Sequence, residues 1–272
     1  MNTSNSGLII VNENFSVVLS HAKPSRVILS VPHDGLIAND FSGLFQERTC
    51  GPKVRDMYVW PIANDIVQNC LRLGMTVDAV RCLMSRTYVD VNREMSGEPN
   101  LAPDTLGQTA LDDPDLVTVY KQYYGELDRL IQASIREYGA ENILLLDLHG
   151  FNKQPPFADD WEIEDSGPDE WIPWDLFLGT ACRATINHGE VDRQFARAMW
   201  KRKYSVFLPK ERPVFLNGDP YSAGHITRLY AGKYGINAMQ IEIFSSFRQR
   251  ESNERGRKLA ADIAEFLSAN YR

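Results

Sequence analysis

Two short runs, Arg26–Val31 and Ile143–Leu148, are too apolar to have a wet face and too short to be helices. Each reads as a buried strand, covered from both sides. A third strand is expected over Ile236–Phe244, and a fourth over Met75–Val80. Leu8–Val11 and Phe15–Leu19, separated by Asn12-Glu13-Asn14, predict a hairpin. Segments of helical period lie between the later strands. One opens at Pro61, carries Ile66, Val67, Cys70 and Leu71 on one face and stops at Gly74. A second begins at Asp113-Pro114 and holds Leu116, Val119, Tyr123, Leu127, Leu130 and Ile131 in phase to Gly139. A third, Glu251–Leu267, is an amphipathic closing helix. Strands that alternate with helices imply an α/β fold with helices on both faces of the sheet.

Composition narrows the function classes. The chain has 272 residues and a formal net charge of −7, which argues against nucleic acid as a partner because phosphate binding needs a basic surface. No apolar run reaches membrane-spanning length, and Met1 to Gly7 lacks the pattern of a secretory signal. Cys50, Cys70, Cys82 and Cys182 show no CxxC spacing and read as reduced, buried residues, so a cytoplasmic protein is expected. Glu94–Asp112 and Asn152–Glu170 lack periodicity and read as binding loops or lids within a single domain.

Ligands of open α/β sheets bind beyond the carboxyl ends of the strands. Three apolar runs lead there to a histidine or an acid. Val27–Val31 runs into Pro32-His33-Asp34-Gly35, Ile143–Leu146 into Asp147-Leu148-His149-Gly150, and Ala238–Ile241 into Glu242. Histidine is the commonest zinc ligand, and glycines beside both histidines allow close backbone approach. Two of only five histidines in equivalent places, with an acid at a third, point to a metal. His21 reads as a solvated loop residue and His188 as a turn residue, whereas His225, beside Gly224, is a candidate to face the site. If Ser85–Arg93 is extended, Arg86, Tyr88, Asp90 and Asn92 share a face. Asn92-Arg93 would then suit a substrate carboxylate, since the guanidinium fork matches it.

These motifs, with Gly218-Asp219-Pro220-Tyr221, Gly224 and Gln240-Ile241-Glu242, resemble the N-formylglutamate amidohydrolase family over about residues 27 to 250. The resemblance implies a single three-layer αβα domain with a mixed, mostly parallel central sheet, similar to zinc carboxypeptidases. It also implies one zinc ion per chain held by His33 and His149, a carboxylate clamp at Asn92 and Arg93, and Glu242 as general base. Arg86 would support the tetrahedral oxyanion or bind a side-chain acid, and Tyr221 and His225 would contact substrate. Where zinc carboxypeptidases place an acid three residues after the first histidine, this chain has Leu36. The third ligand must come from elsewhere. Asp56 is chosen, within Arg55-Asp56-Met57-Tyr58-Val59, with Glu47 and Asp34 as alternatives. The substrate implied is a small N-acyl amino acid. A carboxypeptidase, an N-acetyl amino-acid deacylase and a catalytically silent carboxylate-binding module remain open readings, as does a homo-oligomeric state.

Overall fold

The apolar runs become the middle of an eight-stranded sheet in a computed structural model, which describes residues 8–13, 15–38, 43–95, 108–152, 174–208, 222–248 and 253–272. In chain order the strands are β1 (Leu8–Glu13), β2 (Ser16–His21), β3 (Val27–Val31), β4 (Asp78–Cys82), β5 (Leu144–Phe151), β6 (Leu176–Gly179), β7 (Val206–Phe207) and β8 (Asn237–Phe244). The helices are α1 (Val59–Arg72), α2 (Val117–Tyr138), α3 (Val191–Lys201), α4 (His225–Tyr234) and α5 (Glu254–Tyr271). Across the sheet the order is β1-β2-β4-β3-β5-β8-β6-β7. Neighbours from β4 to β8 are parallel, as are β6 and β7, while β1–β2, β2–β4 and β6–β8 are antiparallel. The sheet is therefore mixed and mostly parallel, as expected.

Alternation along the buried strands divides the core into two layers. Val27, Leu29, Val31, Leu144, Leu146, Leu148, Met239, Ile241 and Ile243 pack with α1, α3 and α5. Ile28, Val80, Leu145 and Ala238 pack with α2 and α4 on the other face. At roughly 25 cal/mol per Å² of apolar surface removed from water, these layers dominate the driving force for folding.

The structure moves several expected boundaries. Helix α1 starts two residues before Pro61, because the Asp34 carboxylate accepts the Trp60 N–H from 26 positions away. Met75 and Val77 are buried, but β4 begins only at Asp78. Asp113 caps a single 3-10 turn, Pro114–Leu116, that leads into α2. The short strands β6 and β7 and helices α3 and α4 are not among the expected elements, although α3 has a clear helical period, with Val191, Phe195, Ala196 and Met199 buried along one face. His21 is not a solvated loop residue: it closes β2, and its Nδ1 lies 3.1 Å from Asp78 Oδ1, with the side chain almost fully covered. Only Cys70 and Cys82 are buried; Cys50 is exposed and Cys182 half-buried, although all four are free thiols. Most of Glu94–Asp112 and Asn152–Glu170, the expected lids, lies outside the described residues.

Candidate metal centre and active site

The face of the sheet toward α2 and α4 changes character along its strands. Beyond Ile28, Leu145 and Ala238 the same face carries Ser30 on β3, Asp147 and His149 on β5, and Gln240 and Glu242 on β8. Side chains two apart on a strand share a face, and register puts Ser30 beside Asp147, Asp147 beside Gln240, and His149 beside Glu242. His149 and Glu242 lie two residues inside their strands, which run on to Phe151 and Phe244. His33 follows the end of β3 directly, after Pro32.

Three acceptors converge at this polar end. His33 Nε2 lies 2.7 Å from Asp90 Oδ1, and His149 Nε2 lies 2.9 Å from Asp147 Oδ2. An ionised carboxylate can only accept, so each Nε2 carries a hydrogen and each ring turns Nδ1 toward the other. The two Nδ1 atoms are 3.1 Å apart, and each is 3.3 Å from Asp56 Oδ2. Such a triangle needs a positive charge at its centre, either a proton or a metal ion. Bonds of about 2.0–2.1 Å in tetrahedral geometry place ligand atoms roughly 3.3 Å apart, which these sides match. Carboxylates behind ligating histidines are the arrangement that fixes ring orientation and raises ligand basicity. With a proton as the occupant, burial lowers the His149 pKa, but Asp147 and Asp56 outweigh it and raise the value to about 10. Burial works against the Asp56 anion too, yet hydrogen bonds from His149 and His33 hold its carboxyl far below the ordinary value. Asp56 Oδ2 also accepts the Gly150 N–H, and the Asp56 N–H donates to the His33 carbonyl.

Asp56 is the only one of the three considered acids that stands with the histidines. Glu47 pairs with Lys53 at the surface. Asp34 is fully buried between Arg55 and Arg81 and caps α1.

Ser85–Arg93 is not the extended segment expected. It folds as successive turns, with Tyr88 and Val89 N–H groups both returning to the Ser85 carbonyl, so the predicted common face does not exist. Turning puts Arg86 and Asp90, four residues apart, in a 2.9 Å ion pair. Tyr88 instead enters the core with α2. Arg86 Nη1 is 4.0 Å from Asp56 Oδ1, which brings the guanidinium to the edge of the triangle. Burial would lower the Arg86 pKa, but Asp90 and Asp56 raise it, so it stays charged. Asp90 is fully buried: burial favours its acid form, but Arg86, His33 and Arg93 keep the carboxyl well below the usual range.

Sequence reading missed Arg48. It is fully buried, donates to the carbonyls of Cys50, Pro52, Arg86 and Thr109, and lies 3.5 Å from Asp90 Oδ2. Nothing near it in sequence advertises the role, because its partners come from three separate segments.

Asn92 adjoins the triangle, and Arg93 follows it. Asn92 Oδ1 accepts the Ile226 N–H, and its Nδ2 lies 3.3 Å from His149 Nε2. Arg93 donates Nε–H to Gln108 and Nη1–H to the Asn92 carbonyl; Nη2 has no hydrogen-bond partner among the described residues. His225, the first residue of α4, is buried with Nδ1 3.6 Å from Glu94 and Nε2 3.5 Å from Tyr120. Burial, then Arg93, push its pKa down to about 4, so it is neutral. Tyr221 lies outside the described residues, as do Gly218, Asp219 and Pro220. Glu242 is 95% buried and accepts a hydrogen bond from Gln240; burial, opposed by His149, raises its carboxyl to about 7. The site thus combines a candidate cation position, a carboxyl raised by burial, a charged arginine near its edge and a second arginine with an open donor.

The sequence matches the family described as N-formylglutamate amidohydrolase over residues 25–247. No curated protein matches it in sequence. Among solved structures it is similar to a gene product of Agrobacterium tumefaciens, at 15% identity and a TM-score of 0.58, covering 95% of this chain and 94% of that one. A succinylglutamate desuccinylase from Chromobacterium violaceum superposes at a TM-score of 0.46 and 11% identity, covering 94% of this chain and 64% of that one. A metallo-carboxypeptidase from Burkholderia cenocepacia superposes at 0.43 and 12%, covering 94% and 60%. The first of these supports the fold; the other two superpose too loosely to carry an argument.

Proposed function

This chain belongs to the N-formylglutamate amidohydrolase family, and on that premise we propose that it hydrolyses the amide of a small N-acyl amino acid such as N-formylglutamate at a bound zinc ion. The observation that carries the reading is the triangle of His33 Nδ1, His149 Nδ1 and Asp56 Oδ2, backed by Asp90 and Asp147 and overlooked by Glu242. A divalent ion held there would supply Lewis acidity toward an amide carbonyl and toward water. His33, His149 and Asp56 would hold such an ion with three protein ligands, the ligand count of catalytic rather than structural zinc.

In this reading Glu242 takes one proton from the attacking water and returns it to the leaving nitrogen, so formate and the free amino acid are released with no other co-reactant. Its environment suits both halves of that task, since a base near pH 7 can accept a proton and give it back. Arg86, held by Asp90 and facing the cation position, stabilises negative charge on the former carbonyl oxygen. Arg93, braced by Gln108 and the Asn92 carbonyl, offers its open Nη2 to the substrate carboxylate, and neutral His225 adds a hydrogen-bonding wall without competing charge.

The test joins metal analysis to a substrate panel. Purified protein should carry close to one zinc per chain and release amino acid fastest from N-formylglutamate, ahead of acetyl and dipeptide analogues. Activity that survives in a protein stripped of every divalent metal would overturn the metal reading. A preference for acetyl or peptide substrates would replace the formyl group with one of the rival acyl groups.

A further inference from the structure

Gln240 has no part in the reading above, yet both ends of its side chain are committed. It is 95% buried on β8, two residues before Glu242 and on the same face. Its Oε1 accepts the Gly224 N–H at 2.6 Å, and its Nε2 lies 2.8 Å from Glu242 Oε1. The chemistry fixes which end is which. A backbone N–H can only donate, so the amide oxygen must face Gly224 and the NH₂ must face Glu242. That NH₂ can only donate in turn, so Glu242 Oε1 must accept and cannot hold a proton on that side. Among the described residues Oε2 accepts no hydrogen bond.

The start of α4 supplies the other end of the brace. Asn92 Oδ1 accepts the Ile226 N–H at 2.9 Å while Gln240 takes the Gly224 N–H, so two neutral amides dock alternate N–H groups of one short stretch. A Cβ on Gly224 would lie 2.2 Å from Asn92 Nδ2, so a larger residue there would have to displace the amide that docks the Ile226 N–H.

We propose that Gln240 is a positioning residue that leaves Oε2 of Glu242 as the atom that accepts the proton, and that the docked start of α4 holds Gln240 in the orientation this requires. The inference rests on Glu242 being the base. Among the described residues neither Gln240 nor Gly224 hydrogen-bonds a member of the cation triangle, so their effect passes through the orientation of one carboxylate.

The experiment is a double-mutant cycle on the metal-loaded enzyme, with single-turnover rates, KM, metal stoichiometry and melting temperature measured for each variant. Gln240→Glu keeps an acceptor for the Gly224 N–H but, when ionised, cannot donate to Glu242; Gln240→Met, similar in size and uncharged, can do neither in any protonation state. Each should keep one metal per chain and a KM within about twofold, and lose about 10- to 100-fold in rate, the scale of a misplaced catalytic group. In a Glu242→Gln background neither change should reduce the residual rate further. Gln240→Met carries the test if a second carboxylate beside Glu242 prevents folding or expels the metal. Equal losses in both backgrounds, or a Gln240 variant as fast as wild type beside an inactive Glu242→Gln, would overturn the proposal. A Glu242→Gln enzyme at nearly full rate would instead overturn the assignment of the base on which it rests.

Discussion

Single residues at the site trade stability for chemistry. Glu242 is the clearest case, its carboxyl raised from 4.5 to about 7, chiefly by burial. A carboxyl raised in the folded state contributes stability that is full below about pH 4.5 and is lost as pH rises through 7. Glu242→Gln should therefore make the metal-free protein more stable at pH 8, by on the order of 2–3 kcal/mol, as read by thermal or urea denaturation. The same change should leave metal content intact and cut kcat by roughly 10²–10⁴-fold. Because the base must be ionised, kcat/KM should fall as pH drops through a limb at or below 7, a bound cation being able only to lower that pKa. Arg93 gives a second residue-scale prediction. A charge-assisted contact is worth about 1.5–3 kcal/mol, and an ammonium cannot reproduce the fork. Arg93→Lys should cost about 10- to 100-fold in kcat/KM for N-acyl amino acids and much less for the corresponding α-amides. Equal losses on both substrates would make Arg93 structural.

At the level of elements, glycines mark where backbone segments must close on one another to carry the site. A Cβ on Gly35 would stand 2.3 Å from the Met84 carbonyl oxygen and 2.4 Å from that of Leu83, and neither is a flexible side-chain end. Gly35→Ala should force the turn after β3 away from its neighbour, cost 1–3 kcal/mol or more, and displace His33 enough to weaken metal binding. Gly125, in the middle of α2, meets nothing within 4 Å. Gly125→Ala should raise stability by about 0.5–1 kcal/mol with activity unchanged, because it only removes unfolded-state freedom and a poor helix former. Calorimetry and metal titration of the two variants side by side separate local closure from helix propensity.

For the whole molecule, the candidate ligands come from three separate parts of the chain, which an ion would tie together: the turn after β3, the segment before α1, and β5. Anything that binds only the folded state stabilises it by mass action, about 2.7 kcal/mol at a free concentration 100 times Kd. Adding zinc to metal-free protein should thus raise the melting temperature by roughly 5–10 °C for a chain this long. His149→Ala should abolish that response while keeping the fold, since the αβα layers do not depend on the ion. Among the described residues no helix is long and apolar enough to cross a membrane.

Local pattern alone determined the central strands, the long helices and the two histidines. Burial periodicity and strand ends are written in neighbouring residues, so Arg26–Val31 and Ile143–Leu148 could be read directly and His33 and His149 followed from them. Glu242 was legible for the same reason, although its strand runs on two residues past it. Tertiary structure separated Asp56, already preferred in the sequence, from Glu47 and Asp34, and alone decided that Asp34 caps α1 from 26 residues away and that Ser85–Arg93 turns instead of extending. It also decided the supporting shell: Asp90, 57 residues from His33, sets that ring, and Arg48 and Gln240 brace groups from distant segments. The physical reason is common to all of these. A buried carboxylate, guanidinium or amide must be satisfied by whatever partners the packed layers bring within about 3 Å. Which partners those are depends on sheet order and register, to which no short window of sequence has access.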